Sequence, residues 1–142
     1  NFVAIDGSKV SPAICYESIY GEFMSGFMRD TAEFIAVVTN DGWWQNTPGY
    51  RQHMNYARIL ALEFRKNIAR SANTGISCFI NQRGDVLQQT KWWEEDALHG
   101  KVYRNQIITF YARHGDYIGF ISAFLTCSIL LYFGFKRILH LF

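Results

Sequence analysis

Charge is scarce in this 142-residue sequence and nearly balanced: 14 lysines and arginines stand against 12 aspartates and glutamates, a formal net charge of +2. A protein that neutralises nucleic-acid phosphates needs a basic stripe that such a balance does not supply, so nucleic acid is set aside as a partner. Cysteine is sparse too. Cys15, Cys78 and Cys127 leave one thiol over under any single disulfide, and no C-x-x-C or paired Cys/His spacing occurs, so neither a disulfide framework nor a metal site is supported. Also missing are a G-x-S-x-G elbow, a Walker loop, a G-x-G-x-x-G turn and an H-E-x-x-H helix, and nothing else calls for a cofactor. No repeat or low-complexity segment appears, and no basic segment followed by an apolar run opens the chain at Asn1. The sequence reads as the C-terminal piece of something longer.

What is abundant is apolar surface. Apolar residues make up 49% and charged ones 18%, which excludes intrinsic disorder and leaves enough chain for one ordinary core. The 12 Phe, 8 Tyr and 4 Trp suit a buried core, a membrane interface, or both. From Tyr117 to Phe135 no charge occurs, and as a helix those residues would cover about 28 Å, close to the hydrocarbon thickness of a bilayer. Asp116 precedes the run and Lys136 and Arg137 follow it, with Tyr117, Tyr132 and Phe135 near its ends. The expectation is a transmembrane helix over 117–135 with its basic end in the cytoplasm and a short tail over 136–142. A buried core helix would need protein on every side, more than the rest of the chain can supply.

In the remainder, Phe2–Ile5 and Val10–Cys15 are strand candidates joined by the turn Asp6-Gly7-Ser8-Lys9. Ile19, Tyr20, Phe23, Met24 and Phe27 follow at helical spacing. Phe34–Thr39 is a continuous apolar and β-branched run, expected to be a strand covered on both faces and ended by Asn40-Asp41-Gly42. Met54, Ala57, Ala61, Phe64 and Ile68 define a long helix from Gly49 to about Ala69, with Pro48 at its start. Ser71–Gly75 reads as a turn, Ile76–Ile80 and Val86–Thr90 as a hairpin around Gly84, and Gln106–Phe110 as a last strand candidate. Strand, helix, strand, long helix and hairpin make an α/β arrangement, in which chemistry gathers where strands end and helices begin.

Cys15 sits at such a junction, where the positive end of a helix favours thiolate over thiol. The plainer reading is one more small core residue after Ala13 and Ile14. Glu17, two positions on, either lies beside the thiol or caps the helix, and packing alone has no use for it there. Cys78 and Cys127 have no such neighbours and read as structural. No histidine is assigned as a base: His53 falls on the long helix and His114 at the membrane boundary, where polar or interfacial roles suffice.

Ile14-Cys15-Tyr16-Glu17-Ser18, Thr39-Asn40-Asp41-Gly42-Trp43 after an apolar strand, and Arg58–Ala69 leading into Arg70–Ser77 together resemble the nitrilase superfamily. Thr109–Asp116, immediately before the apolar helix, is similar to the T-x-Y-x-R-x-G-D exit of its apolipoprotein N-acyltransferase branch, and the likeness runs from about Pro12 to Phe135. The resemblance implies the C-terminal part of a nitrilase-like αββα sandwich over 1–112, a juxtamembrane connection at 113–116 and one transmembrane helix. It implies a bacterial inner-membrane enzyme with a periplasmic catalytic domain, a phospholipid acyl donor and an apolipoprotein acceptor. By motif, Cys15 matches the nucleophile and Glu17 a second catalytic position; Tyr16, Asn40, Asp41 and Trp43 match residues at the substrate. The family's remaining triad members, a Glu and a Lys, precede the cysteine and match neither Lys9 nor Glu22, so this piece is expected not to turn over alone. Trp43, Trp44, Trp92 and Trp93 suit a bilayer interface or core packing. Two other readings stay open: a membrane-tethered hydrolase in which water replaces the amine, and a single-pass binding domain in which Cys15 is inert.

Overall fold

The computed structural model describes residues 1–139, as six strands and four α-helices. Strands β1 (Phe2–Val3) and β2 (Lys9–Ile14) form the expected antiparallel hairpin. Helix α1 (Gly21–Arg29) leads into β3 (Phe34–Asn40), and helix α2 (Gly49–Phe64) into β4 (Ile68–Asn73). Strands β5 (Cys78–Ile80) and β6 (Val86–Gln89) complete a single sheet in the order β1 to β6. β2, β3 and β4 run parallel, and the outer pairings are antiparallel.

Two successive parallel crossovers advancing in one direction across the sheet must, being right-handed, leave both helices on the same face. The core lies there, with Ala13, Ile35, Val37, Ile68, Cys78 and Ile80 meeting Met24, Met28, Leu60 and Phe64. The other face is largely open. Along β3, Ile35, Val37 and Thr39 are buried while Val38 is 59% exposed, so this strand is covered on one side and not on both. Ala36, Val38, Ala69 and Phe79 line a cavity of about 400 Å³ on the open side, against residues 96–98.

Three expected elements fall elsewhere. Cys15 does not open an α-helix: Cys15–Ile19 is a single 3₁₀ turn, and α1 starts only at Gly21. Its core face accordingly centres on Met24 and Met28, and Tyr20 and Phe23 are exposed. Helix α2 ends five residues early because Arg65 turns left-handed at φ +53° and its N–H donates to the Ala61 carbonyl. Ile68, at helical spacing from Phe64, belongs instead to β4, opposite Ile35. Gln106–Phe110 is no strand: the Asn105 amide before it donates to the Glu33 carbonyl at 3.0 Å, and beyond that point side chains tie the stretch to the core. Gln106 Nε2 donates to Glu33 Oε1 at 2.8 Å, and Thr109 Oγ1 to the Glu63 carbonyl at 2.7 Å. Thr109 then caps the short helix α3 (Phe110–His114). The hairpin turn is as expected, with Gly84 at φ +77° and Asn81 Oδ1 accepting from the Arg83 and Asp85 amides.

Lys66, just past α2, is buried, and its ammonium donates to the Asn105 carbonyl. Burial pushes its pKa down from 10.5 to about 8, against the pull of Glu33. Between those two values the unfolded lysine binds a proton that the folded one has released, so stability climbs with pH by about 1 kcal/mol per unit. Denaturant melts of Lys66→Met against the parent should show that slope flattened.

Helix α4 (Tyr117–Leu139) contains an apolar span, Tyr117–Arg137, long enough to cross a membrane, and none of that span is buried against protein. The helix runs on into the expected tail as far as Leu139, and residues 140–142 of that tail lie outside the described residues.

Candidate active site

The parallel strands β3 and β4 end level, Asn40 opposite Asn73, and β2 ends two residues sooner, Ile14 opposite Val38. Each residue matched to the nucleophile, the second catalytic position or the substrate lies at or just past the end of β2 or β3. Cys15, Tyr16 and Glu17 follow β2; Asn40 closes β3, and Asp41 and Trp43 come next.

Cys15 is half-buried, and its backbone sits at φ +52°, left-handed geometry that costs a non-glycine residue about 1 kcal/mol or more. Neighbouring side chains hold that turn. Glu17 Oε2 accepts the Ile14 amide at 2.8 Å, so of the two places open to this carboxylate it occupies the capping one. Ser18 Oγ donates to the Cys15 carbonyl at 2.8 Å. With only a five-residue 3₁₀ turn behind the thiol, a helix dipole is a poor source of activation here. Cys78, by contrast, is 1% exposed, and burial pushes its pKa up to about 11, which leaves it an inert core thiol.

Asp41 has no exposed surface. Its Oδ1 meets His53 Nδ1 at 2.9 Å and its Oδ2 accepts from Arg70 Nη2 at 2.6 Å. Burial alone would raise its pKa, but the hydrogen bonds from His53 and Arg70, with their charges, outweigh that and hold it below the ordinary 3.8. This carboxylate therefore supports the site from beneath. Arg70 also donates to the Ile76 carbonyl, while its Nε is buried without a partner. Gly75 packs against the same carboxylate: a Cβ there would lie 2.8 Å from Asp41 Cβ and 2.9 Å from Ala72 Cβ.

His53, only 2% exposed, links the strand ends. Its Nε2 lies 3.1 Å from Ser18 Oγ and 3.3 Å from the Cys15 carbonyl, and the Tyr16 ring covers it at 5.2 Å. Neither His53 nor Arg70 stands out from the sequence as a site residue. His53 is four residues before Ala57 on the core face of α2, and a polar group on an apolar face is a usable signal that it has a buried partner. Arg70 is legible only once Ile68 is known to be in a strand, since alternation then turns both inward.

Asn40 is exposed, and its Oδ1 accepts from the Gly42 amide at 3.1 Å and from Thr74 Oγ1 at 3.3 Å. With Trp43, Asn73, Thr74 and Trp93 it lines an open cavity of about 440 Å³. Each tryptophan pair divides. Trp43 is 84% exposed and Trp93 62%, whereas Trp44 packs on Gly49 and Tyr16, and Trp92 stacks on Tyr50 at 4.0 Å. Among the described residues no group of three His, Cys, Asp or Glu is arranged to hold a metal ion.

Residues 1–111 match the family model described as carbon-nitrogen hydrolase. An apolipoprotein N-acyltransferase of Chlorobaculum tepidum is 39% identical over 120 residues, which are 83% of this chain and 22% of that protein. One from Pasteurella multocida is 38% identical over 114 residues, 80% of this chain and 22% of its own length. A third, from Wigglesworthia glossinidia brevipalpis, is 30% identical over 133 residues, 94% and 26% respectively. The chain thus spans about a quarter or less of these curated relatives. Its α/β sheet with strand-end cysteine and the match over residues 1–111 lead to one assignment: the chain belongs to the carbon-nitrogen hydrolase, or nitrilase, family.

Proposed function

We propose that this chain carries the nucleophile of an enzyme that moves a fatty acyl chain from a phospholipid to the N-terminal amine of a diacylglyceryl-cysteine apolipoprotein. The observation that carries the reading is a half-buried cysteine, strained and clamped at a parallel strand end, in a chain that also holds a membrane-length apolar helix. The names of the relatives support the acceptor.

In the first step the Cys15 thiolate adds to the ester carbonyl of the donor. A C–S bond forms, the C–O bond breaks, and the lysophospholipid leaves with the proton that the triad carboxylate had taken from the thiol. In the second, the acceptor amine attacks the thioester, a C–N bond forms, and Cys15 is released as thiolate while a carboxylate takes the amine's proton. The triad's Glu and Lys would come from outside these 142 residues. Glu17 shapes the turn, Tyr16 and Asn40 border the acyl group, and Asp41 acts through His53. Trp43 and Trp93, both exposed beside one cavity, suit the bilayer surface, where both substrates reside. In this reading 1–112 is the catalytic part and 113–116 a connection. Residues 117–135 cross the inner membrane from the periplasm, and the basic end from Lys136 faces the cytoplasm.

The test uses the membrane enzyme carrying this chain together with the triad Glu and Lys, a phospholipid with a deuterated acyl chain and a synthetic diacylglyceryl-cysteine peptide. The expected products are the deuterated amide and one lysophospholipid per amide. Deuterated free fatty acid without amide would replace this reading by the hydrolase, and no consumption of the donor would overturn both.

A further inference from the structure

We propose that His53 is a positioning residue for the nucleophile, seated on Asp41 and holding the Cys15–Ser18 turn through Nε2 so that the thiol keeps its strained orientation. This rests on the reading of Cys15 as nucleophile.

Left-handed backbone at a non-glycine residue persists only where its surroundings over-determine it. At Cys15 two devices do so. Before the thiol, Glu17 fixes the Ile14 amide; after it, the Cys15 carbonyl takes the Ser18 hydroxyl at 2.8 Å and faces His53 Nε2 at 3.3 Å. Glu17 and Ser18 lie within the turn itself, and a contact made inside a turn moves with it. His53 is different: it comes from α2, 38 residues away in sequence from Cys15, and ties the turn to a rigid element of the core. Its own freedom is removed in three ways. Asp41 holds Nδ1, Arg70 fixes Asp41 through an Nη2 that lies 3.5 Å from that same ring nitrogen, and Tyr16 closes over the ring. Nδ1 faces the Asp41 carboxylate at 2.9 Å with Arg70 Nη2 at 3.5 Å, and Nε2 faces the Cys15 carbonyl and the Ser18 hydroxyl. Such a chain of support behind a reacting group sets orientation to a fraction of an ångström, and a displacement of about 1 Å at the reacting atom can cost on the order of 100-fold in rate.

The two isosteric amides separate this role from simple filling of the core. His53→Gln keeps a donor where Nε2 stands and gives up the Asp41 contact; His53→Asn keeps the Asp41 contact and gives up the turn. If His53 positions Cys15, His53→Asn acylates Cys15 from phospholipid about 10-fold or more slower than His53→Gln, which itself falls below the parent because it gives up the Asp41 seat, at unchanged KM for the donor. If His53 only neutralises and packs Asp41, the order reverses, and either that order or two parent-like variants would overturn the proposal. Ser18→Ala, which takes away the hydroxyl 3.1 Å from His53 Nε2 and with it one of the two contacts tying the turn to α2, should also slow acylation of Cys15 even if a histidine variant proves too unstable to assay, and a parent-like rate would count against the proposal. A lipid-free arm separates the two claims: iodoacetamide alkylation, scored on the Cys15 peptide with Cys78 as buried control. A change of fivefold or more between the Asn and Gln variants supports His53 positioning even if no acyl group ever reaches Cys15, which would refute the functional reading alone. Equal alkylation in all variants counts against His53.

Discussion

Asp41→Ala should lower the unfolding free energy by about 3–5 kcal/mol, because it leaves the Arg70 guanidinium buried with no counter-charge. Arg70 cannot escape by releasing its proton, and its Nε already lacks a partner, so the second nitrogen losing its acceptor adds a further unpaired donor. His53 loses its seat at the same time. For a chain of this size the loss corresponds to a melting temperature lower by about 10–15 °C. The pH dependence has a definite sign. Asp41 has its folded pKa below the ordinary 3.8, so its stabilisation is complete above that value and disappears as pH falls through the lower folded value. Thermal melts between pH 7 and pH 2 should therefore show an acid limb, to which Asp6, Glu33 and Asp85 also contribute, that Asp41→Asn diminishes. Replacing both partners, as in Asp41→Leu with Arg70→Met, should cost less than Asp41→Ala alone, since no charge is then left buried. A cost below about 1 kcal/mol for Asp41→Ala would mean that water reaches the pair.

Much of this support was hidden in the sequence for physical reasons. The strand ends were readable, because Cys15 and Asn40-Asp41-Gly42 each close an apolar run and alternation or β-branching gives such runs away. The hairpin around Gly84 and the apolar helix were readable for the same kind of local reason. What failed was phase. A left-handed Arg65 has no sequence signature comparable to a glycine, so helical spacing carries α2 on over Ile68 and leaves Arg70, just before the turn expected at Ser71–Gly75, with no face assigned, whereas β4 runs through Asn73 and turns Arg70 inward. The 3₁₀ turn after Cys15 likewise shifted the face assigned to α1, leaving Phe23 outside and Met28 inside. The partnership of His53 with Asp41 and Arg70 spans three elements, and only the fold brings it together.

The larger kinetic effect is expected at Cys15. Cys15→Ser replaces the thiol by a hydroxyl that ionises far less readily, in a turn otherwise unchanged, so acyl transfer should fall by about 10⁴-fold or more while the protein remains folded. Cys78→Ala gives the matched control. Cys78 lies in the core, with its pKa pushed up to about 11, and its replacement should leave transfer within about 3-fold of the parent while costing some stability. Assaying both variants at saturating donor and acceptor separates loss of chemistry from loss of binding. Activity retained in Cys15→Ser, or lost equally in Cys78→Ala, would place the nucleophile elsewhere.

The most direct measurement is the mass of the Cys15 peptide after the enzyme meets phospholipid with no acceptor present. One added acyl group on Cys15, removed by hydroxylamine and by the acceptor amine, is the predicted result. An unmodified Cys15 alongside released lysophospholipid, or an acyl group on any other residue, would contradict the account.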